Sequence, residues 1–312
     1  LIFALSAFII VYLFLRDVVY ASNEPIPSAD TMNDMFGQQS RPSFFRRYQD
    51  CLMNALSALP VQRIYENLLR TMAVCKEKYI DLDKLNIIAI SNNDEVKYAI
   101  APFGGLQEHE ECNIVTLGIG YDVLAETQLQ RIFPKVCRFT GADPTPEKNK
   151  ELYESLGGRY FNRAVGAGNG KGLARVYSGK TYHEEEVVMQ TDLVTFLKSD
   201  VNVKEVVDLL LVDIETKEFG MLPLFRSEGR LDSSNIIICQ FNVEFHWPYG
   251  QSVKRFGVFV LDILQDRKYA ILNGFYRNWI DLHFVKYHVM RLYIINVKDR
   301  ICTSRYLPKT NQ

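Results

Sequence analysis

Apolar residues fall in short unbroken runs, and stretches with helical spacing lie between them, a succession that predicts alternating strands and helices. Leu209-Leu210-Leu211-Val212 shows no period-two polarity, as a central parallel strand covered on both faces requires, and it ends in Asp213-Ile214-Glu215. Carboxylates at i and i+2 project from one side of a strand end. Upstream, the run Asn113–Leu117 breaks at Gly118-Ile119-Gly120, and Val123, Leu124, Leu129 and Ile132 then recur at helical spacing. A third run, Val136–Ala142, ends at Asp143-Pro144. Thr145 and Pro146 suit a helix start, and Gly157-Gly158 its stop. Further strands are expected at Phe161–Val165, Val187 onward and Asn235–Phe241, and Tyr269–Leu272 and Arg291–Ile295 are the last two apolar runs. The expected fold class is α/β: a mostly parallel sheet with one antiparallel strand near the C-terminus and helices on both faces.

The N-terminal pattern differs. Leu1–Leu15 is apolar except for Ser6, and Val18-Val19-Tyr20 follows Arg16-Asp17. A bilayer span needs about 20 residues, but the chain begins with Leu rather than Met, so residues 1–20 are expected to be a transmembrane signal anchor with its start missing. A cleaved signal peptide ending near Ala21-Ser22 is the alternative. Residues 21–43 lack an apolar period and predict a flexible stem. In residues 44–105, Phe45, Tyr48, Leu52, Leu56 and Leu59 keep 3–4 spacing, Pro60 interrupts it, and Ile64, Leu68, Leu69 and Met72 resume it. These predict a helical extension packed on the main domain, residues 106–312. This layout predicts a single-pass membrane protein with its catalytic domain in the lumen of the Golgi or endoplasmic reticulum.

At 312 residues, 36.0 kDa and 47% hydrophobic residues, the chain can bury one large core. With a net charge of −1 and no basic tract of more than a few residues, nothing suggests a nucleic-acid footprint. The six cysteines are far apart with no Cys-x-x-Cys pair, which argues against zinc and redox motifs. Cys51 and Cys75 are placed to tie the two N-terminal helices together, whereas Cys137 and Cys239, in expected central strands, are read as buried thiols. No Asn-x-Ser/Thr sequon occurs, which weighs against the lumenal placement.

Three successive strand ends thus offer glycines, an acid and an acid pair. Asp143 lies 25 residues after Gly118, about where a second-strand acid meets ribose hydroxyls in nucleotide-binding sheets. Over roughly residues 110–300 the chain resembles the S-adenosylmethionine-dependent methyltransferases, and among them the FkbM-type O-methyltransferases of a divergent nematode-like branch. The resemblance is carried by Val115-Thr116-Leu117-Gly118-Ile119-Gly120, Gly141-Ala142-Asp143-Pro144, Asp213-Ile214-Glu215-Thr216-Lys217-Glu218 and Cys239–His246. It implies a Rossmann-like methyltransferase sheet and S-adenosylmethionine as cofactor, held by Gly118, Gly120, Asp143, Asp213 and Ala164, the last near the adenine. Thr116 stands where the family usually has an acid, and Thr216 where it has glycine. Both departures keep open an inactive methyltransferase-fold binding or scaffold protein. A nicotinamide-dependent reductase is disfavoured, since the third fingerprint glycine is missing.

Methyl transfer from a sulfonium requires alignment of donor and acceptor and removal of a proton. His246 is the expected base, with Glu244 two positions before it and a near-neutral ordinary pKa. Asp213 and Glu215 complete the catalytic set. These carboxylates could hold a divalent cation, but acceptance of backbone N–H groups is preferred, so no metal ligands are assigned. His183-Glu184-Glu185-Glu186 is expected to be a solvated acidic loop. The expected partners are a hydroxylated small-molecule or glycan acceptor and a membrane, with no nucleic acid. Aromatic residues between Phe245 and Tyr287 are dense enough to supply a sugar-stacking surface besides core.

Overall fold

A computed structural model describes residues 41–177, 182–215, 217–246, 248–281 and 284–308. At its centre, β3 (Asn113–Leu117) pairs in parallel with β4 (Arg138–Asp143) on one side and β10 (Leu209–Val212) on the other. β5 (Arg159–Asn162) extends the sheet beyond β4, and β12 (Gln240–His246) extends it beyond β10. β14 (Phe284–Asn296) runs antiparallel to β12 and to β13 (Tyr269–Asp281), giving the order β13-β14-β12-β10-β3-β4-β5. This is a Rossmann-like sheet, mostly parallel as expected. Chain order reverses between β3 and β10, so a ligand crevice is expected beyond their carboxyl ends. The run Leu209–Leu211 is at most 1% exposed, as its lack of alternation required.

The helical pair is α1 (Arg41–Ser57) and α2 (Ile64–Tyr79). Tyr48 donates to the Ile271 carbonyl at 2.6 Å, fixing α1 to β13. Both helices pack with α6 (Gln251–Asp266) into the hydrophobic layer on one face of the sheet. The other face is covered by α3 (Leu124–Ile132), α7 (Arg300–Tyr306) and a hairpin of β1 (Ile88–Ser91) and β2 (Val96–Ala99). The hairpin lies in the stretch expected to be purely helical. β12 begins at Gln240, later than its expected start at Asn235, because Ile237–Ile238 (β11) pairs instead with Val206–Val207 (β9). α4 (Pro146–Ser155) follows β4, and β6 (Ala164–Gly166) follows β5. β6 pairs with β8 (Tyr182–Asp192), which pairs with β7 (Gly170–Tyr177). His183–Glu186, expected in a loop, therefore lie in strand β8.

Residues Arg41–Gln312 form one compact unit. The expected anchor and the stem up to residue 40 lie outside the described residues. Among the described residues no helix is long and apolar enough to cross a membrane, which corrects the reading of a single-pass protein placed in the Golgi or endoplasmic reticulum. The longest apolar helices here are amphipathic and spend their apolar side on the sheet: α6 has 16 residues and buries Phe256, Phe259, Val260, Ile263 and Leu264.

Cys51–Cys75 joins α1 to α2. Cys137 and Cys239 are not thiols: they form Cys112–Cys137 and Cys239–Cys302. The pairings follow from topology, since Cys112 and Cys137 precede adjacent strands β3 and β4, and Cys302 lies on α7 beside the start of β12.

Candidate active site

The carboxyl ends of β3, β4 and β10 border an open cleft lined by Gly118, Gly120, Asp143, Ala164 and Asp213 together with Glu215. The turn after β3 is shaped by its neighbour. Gly118 has φ +83°, and a Cβ there would stand 1.7 Å from the Asp213 carbonyl oxygen. Only glycine permits both that backbone conformation and that approach.

Asp143 is buried at the end of β4 and fixes the turn. Oδ2 accepts from the N–H of Ile119 at 2.8 Å and of Gly120 at 3.4 Å, while Oδ1 accepts from the Thr145 N–H at 2.8 Å and hydroxyl at 2.5 Å. Both oxygens are thus engaged within the protein, so its first task is to hold the glycine turn. Thr116 turns away from the cleft: its hydroxyl donates to Glu126 on α3 at 2.7 Å and accepts from Tyr153 on α4 at 3.2 Å. Thr216 lies outside the described residues.

Beyond Asp213 the cleft meets a buried cluster of charge. Its frame is β12, whose Gln240, Asn242, Glu244 and His246 alternate with Phe241, Val243 and Phe245, so the polar four share one face. Gln240 and Asn242 spend their amides on the backbone of Ile100 and Tyr98, docking the β1–β2 hairpin across the sheet. Glu244 and His246 are left to the site. His246, 5% exposed, has its Nδ1 2.7 Å from Oε1 of Glu218, the first residue of α5 (Glu218–Met221). Its Nε2 faces Asp213 Oδ1 at 3.5 Å, Glu244 Oε2 at 3.6 Å and Glu215 Oε1 at 3.8 Å. Behind them Arg291, opposite Glu244 on β14, sets its Nε 2.7 Å from Glu244 Oε1 and 3.3 Å from Glu95 Oε2, and Lys97 pairs with Glu95.

Burial opposes charge on His246, but the adjacent Glu218 carboxylate, helped by Asp213 and Glu215, overrides it and pushes the imidazole up to about 10. Burial, then the Glu244 charge, pushes Asp213 up to about 8 against the pull of His246 and Lys97. These neighbours favour the protonated imidazole in the ligand-free protein. Glu215 sits at φ +50°, a left-handed conformation that costs a non-glycine residue energy and is often found at functional sites.

The structure brings His246, Asp213 and Glu215 together and connects them to the cleft. It adds Glu218 from the Asp213–Glu218 motif, and Glu95, Lys97 and Arg291, which no local pattern marks as site residues. Period-two polarity in Gln240–His246 was the available signal for the shared face. Of the aromatic residues weighed for sugar stacking, Phe245 and Phe256 are fully buried core and Tyr249 is exposed. Phe275 lies under the Arg291 guanidinium, while Trp247 falls outside the described residues.

An uncharacterized protein of Caenorhabditis elegans, C28H8.7, is 26% identical over 113 residues, or 36% of this chain and 35% of that protein. The match thus spans about a third of that relative's length. The structure of Aeropyrum pernix fibrillarin with natively bound S-adenosyl-L-methionine aligns at a TM-score of 0.32 and 13% identity, over 61% of this chain and 69% of that one. M. capricolum TrmK with S-adenosyl-homocysteine aligns at 0.30 and 11%, over 60% and 62%. Neither alignment carries a residue's role across. The profile of the methyltransferase FkbM domain, by contrast, matches residues 82–271, from the approach to the β1–β2 hairpin into β13, and the chain belongs to that methyltransferase family.

Proposed function

We propose that the chain transfers a methyl group from S-adenosylmethionine to a hydroxyl of a small-molecule acceptor. One observation carries this reading: a single cleft runs from the Gly118–Gly120 turn, Asp143 and Ala164 to Asp213 and Glu215 of the charged cluster. The residues suit the cofactor on their own terms. A side chain at Gly120 would meet no protein atom within 4 Å, leaving that space to a ligand. Arg163 and Arg175 line the same cleft and suit an amino-acid carboxylate, while the excess of acids around Asp213 suits a positively charged sulfur. Bound there, S-adenosylmethionine supplies a methyl group already activated by that charge.

The protein's share is position and proton removal. Asp143 holds the glycine turn through backbone N–H groups, Glu218 sets the imidazole plane, and the Asp213–Glu215–His246 cluster lies where an acceptor's proton must go. A binding protein without transfer is the second reading, favoured by the full engagement of Asp143 within the protein.

Calorimetry with S-adenosylmethionine, S-adenosyl-homocysteine and NADPH is the first test, followed by methyl transfer to hydroxylated acceptors. Micromolar binding of the first two, none of NADPH, and label recovered on oxygen are expected. Binding with no transfer to any acceptor would support the second reading, and no binding of either sulfur compound would overturn both.

A further inference from the structure

We propose that Asp213, Glu215 and His246 bind one divalent transition-metal ion, of the Mn²⁺ or Zn²⁺ type, at the inner end of the cleft. The site is the one assigned above to methyl transfer, but the inference stands on its own geometry.

Donor atoms of the three side chains lie within 4.8 Å of one another. The imidazole is presented as a ligand: Nδ1 is locked 2.7 Å from Glu218 Oε1, which leaves Nε2 facing the carboxylates, the atom that binds a metal in exchange for its proton. That is the carboxylate–histidine–metal relay, in which a carboxylate behind the ring sets its tautomer and direction. Around Nε2 stand carboxylate oxygens of Asp213 at 3.5 Å, Glu244 at 3.6 Å and Glu215 at 3.8 Å. These separations are too long for good hydrogen bonds. They are near the roughly 3.4 Å edge of a tetrahedron of donors about 2.1 Å from a metal.

A second observation points inward. Asp213 Oδ1 is buried and has no hydrogen-bond partner, although it faces the ring. Glu244, its side chain 5% exposed, turns Oε2 toward the same ring while Arg291 holds its Oε1. A buried oxygen left without a partner is destabilising, and coordination is one way to recover it. The charges facing the spot are the acids Glu95, Asp213, Glu215, Glu218 and Glu244, against Lys97, Arg291 and His246. Lys97 and Arg291 are already drawn to Glu95 and Glu244. With the Asp213 side chain 33% exposed and Glu215 13%, the site opens to the cleft and has an entry path. One imidazole and two carboxylates form a mixed set suited to Mn²⁺ or Zn²⁺, and three protein ligands leave positions open to an acceptor.

The test uses chain stripped with a chelator and titrated with Mn²⁺, with electron paramagnetic resonance following the free ion. One site per chain is expected, with histidine nitrogen coupling in the bound spectrum. Melting temperature should rise by roughly 5–10 °C at a hundredfold excess over Kd. Asp213→Asn and Glu215→Gln should each weaken binding roughly tenfold or more, and Glu218→Gln about 10–100-fold through the ring it orients. Circular dichroism establishes that each variant is folded, and the nitrogen coupling is read on the unaltered chain. No Mn²⁺ or Zn²⁺ site tighter than about 1 mM, or binding without nitrogen coupling that survives both variants, would overturn the inference. Methyl transfer undiminished in chelator would also overturn it while leaving the proposed function intact. Metal binding without affinity for S-adenosylmethionine would do the reverse.

Discussion

Asp143 accepts hydrogen bonds from Ile119, Gly120 and Thr145 together, so Asp143→Ala would strand the Ile119 N–H beneath the turn. A buried unpaired donor costs about 1–3 kcal/mol. The variant should lose that much stability and bind S-adenosyl-homocysteine at least about tenfold more weakly; unchanged affinity by calorimetry would remove Asp143 from the cofactor site. His246→Ala should lower turnover by roughly 10²–10⁴ while leaving cofactor affinity intact. Turnover per folded molecule preserved, with only melting temperature reduced, would make His246 a packing residue. Both positions were legible in the sequence: Asp143 ends an apolar run, and His246 follows Glu244 at strand spacing. The protonation of His246 was not, since it depends on Glu218, 28 residues away in the chain, folding onto the same spot.

Among the elements, α3 is joined to β3 and α4 through a buried polar chain from Glu126 to Thr116 to Tyr153. Burial raises the Glu126 carboxyl above its ordinary 4.5, and the Thr116 hydrogen bond only partly offsets this. A raised acid binds more protons folded than unfolded, so stability falls as pH climbs from the ordinary value through the raised one. Glu126→Gln keeps the shape and cannot ionise. Its melting temperature should match the parent near pH 4 and exceed it by a widening margin toward neutral pH; parallel pH profiles would show that Glu126 does not titrate in this range. The β1–β2 hairpin escaped prediction for a related reason. Its strands are four residues each, too short to establish a period, and it is placed by amides from β12 rather than by its own pattern.

Across the whole molecule, Cys239–Cys302 closes 63 residues and ties the start of β12 to α7. Replacing both cysteines with serine should cost about 2–5 kcal/mol, since an open chain has more unfolded-state freedom; a denaturation midpoint unmoved by replacement or by dithiothreitol would contradict this. The sequence by itself determined the sheet's central strands, the glycine turn, the acids at strand ends and the family, because each is a local pattern: an apolar run, a break, a carboxylate. Tertiary structure alone decided the Cys112–Cys137 and Cys239–Cys302 pairs, the turning of Thr116 to the core, and the gathering of Glu95, Lys97, Glu218 and Arg291 around His246. Those depend on which strands become neighbours and on charge taken out of water, and neither strand adjacency nor local dielectric is encoded at fixed spacing along a chain.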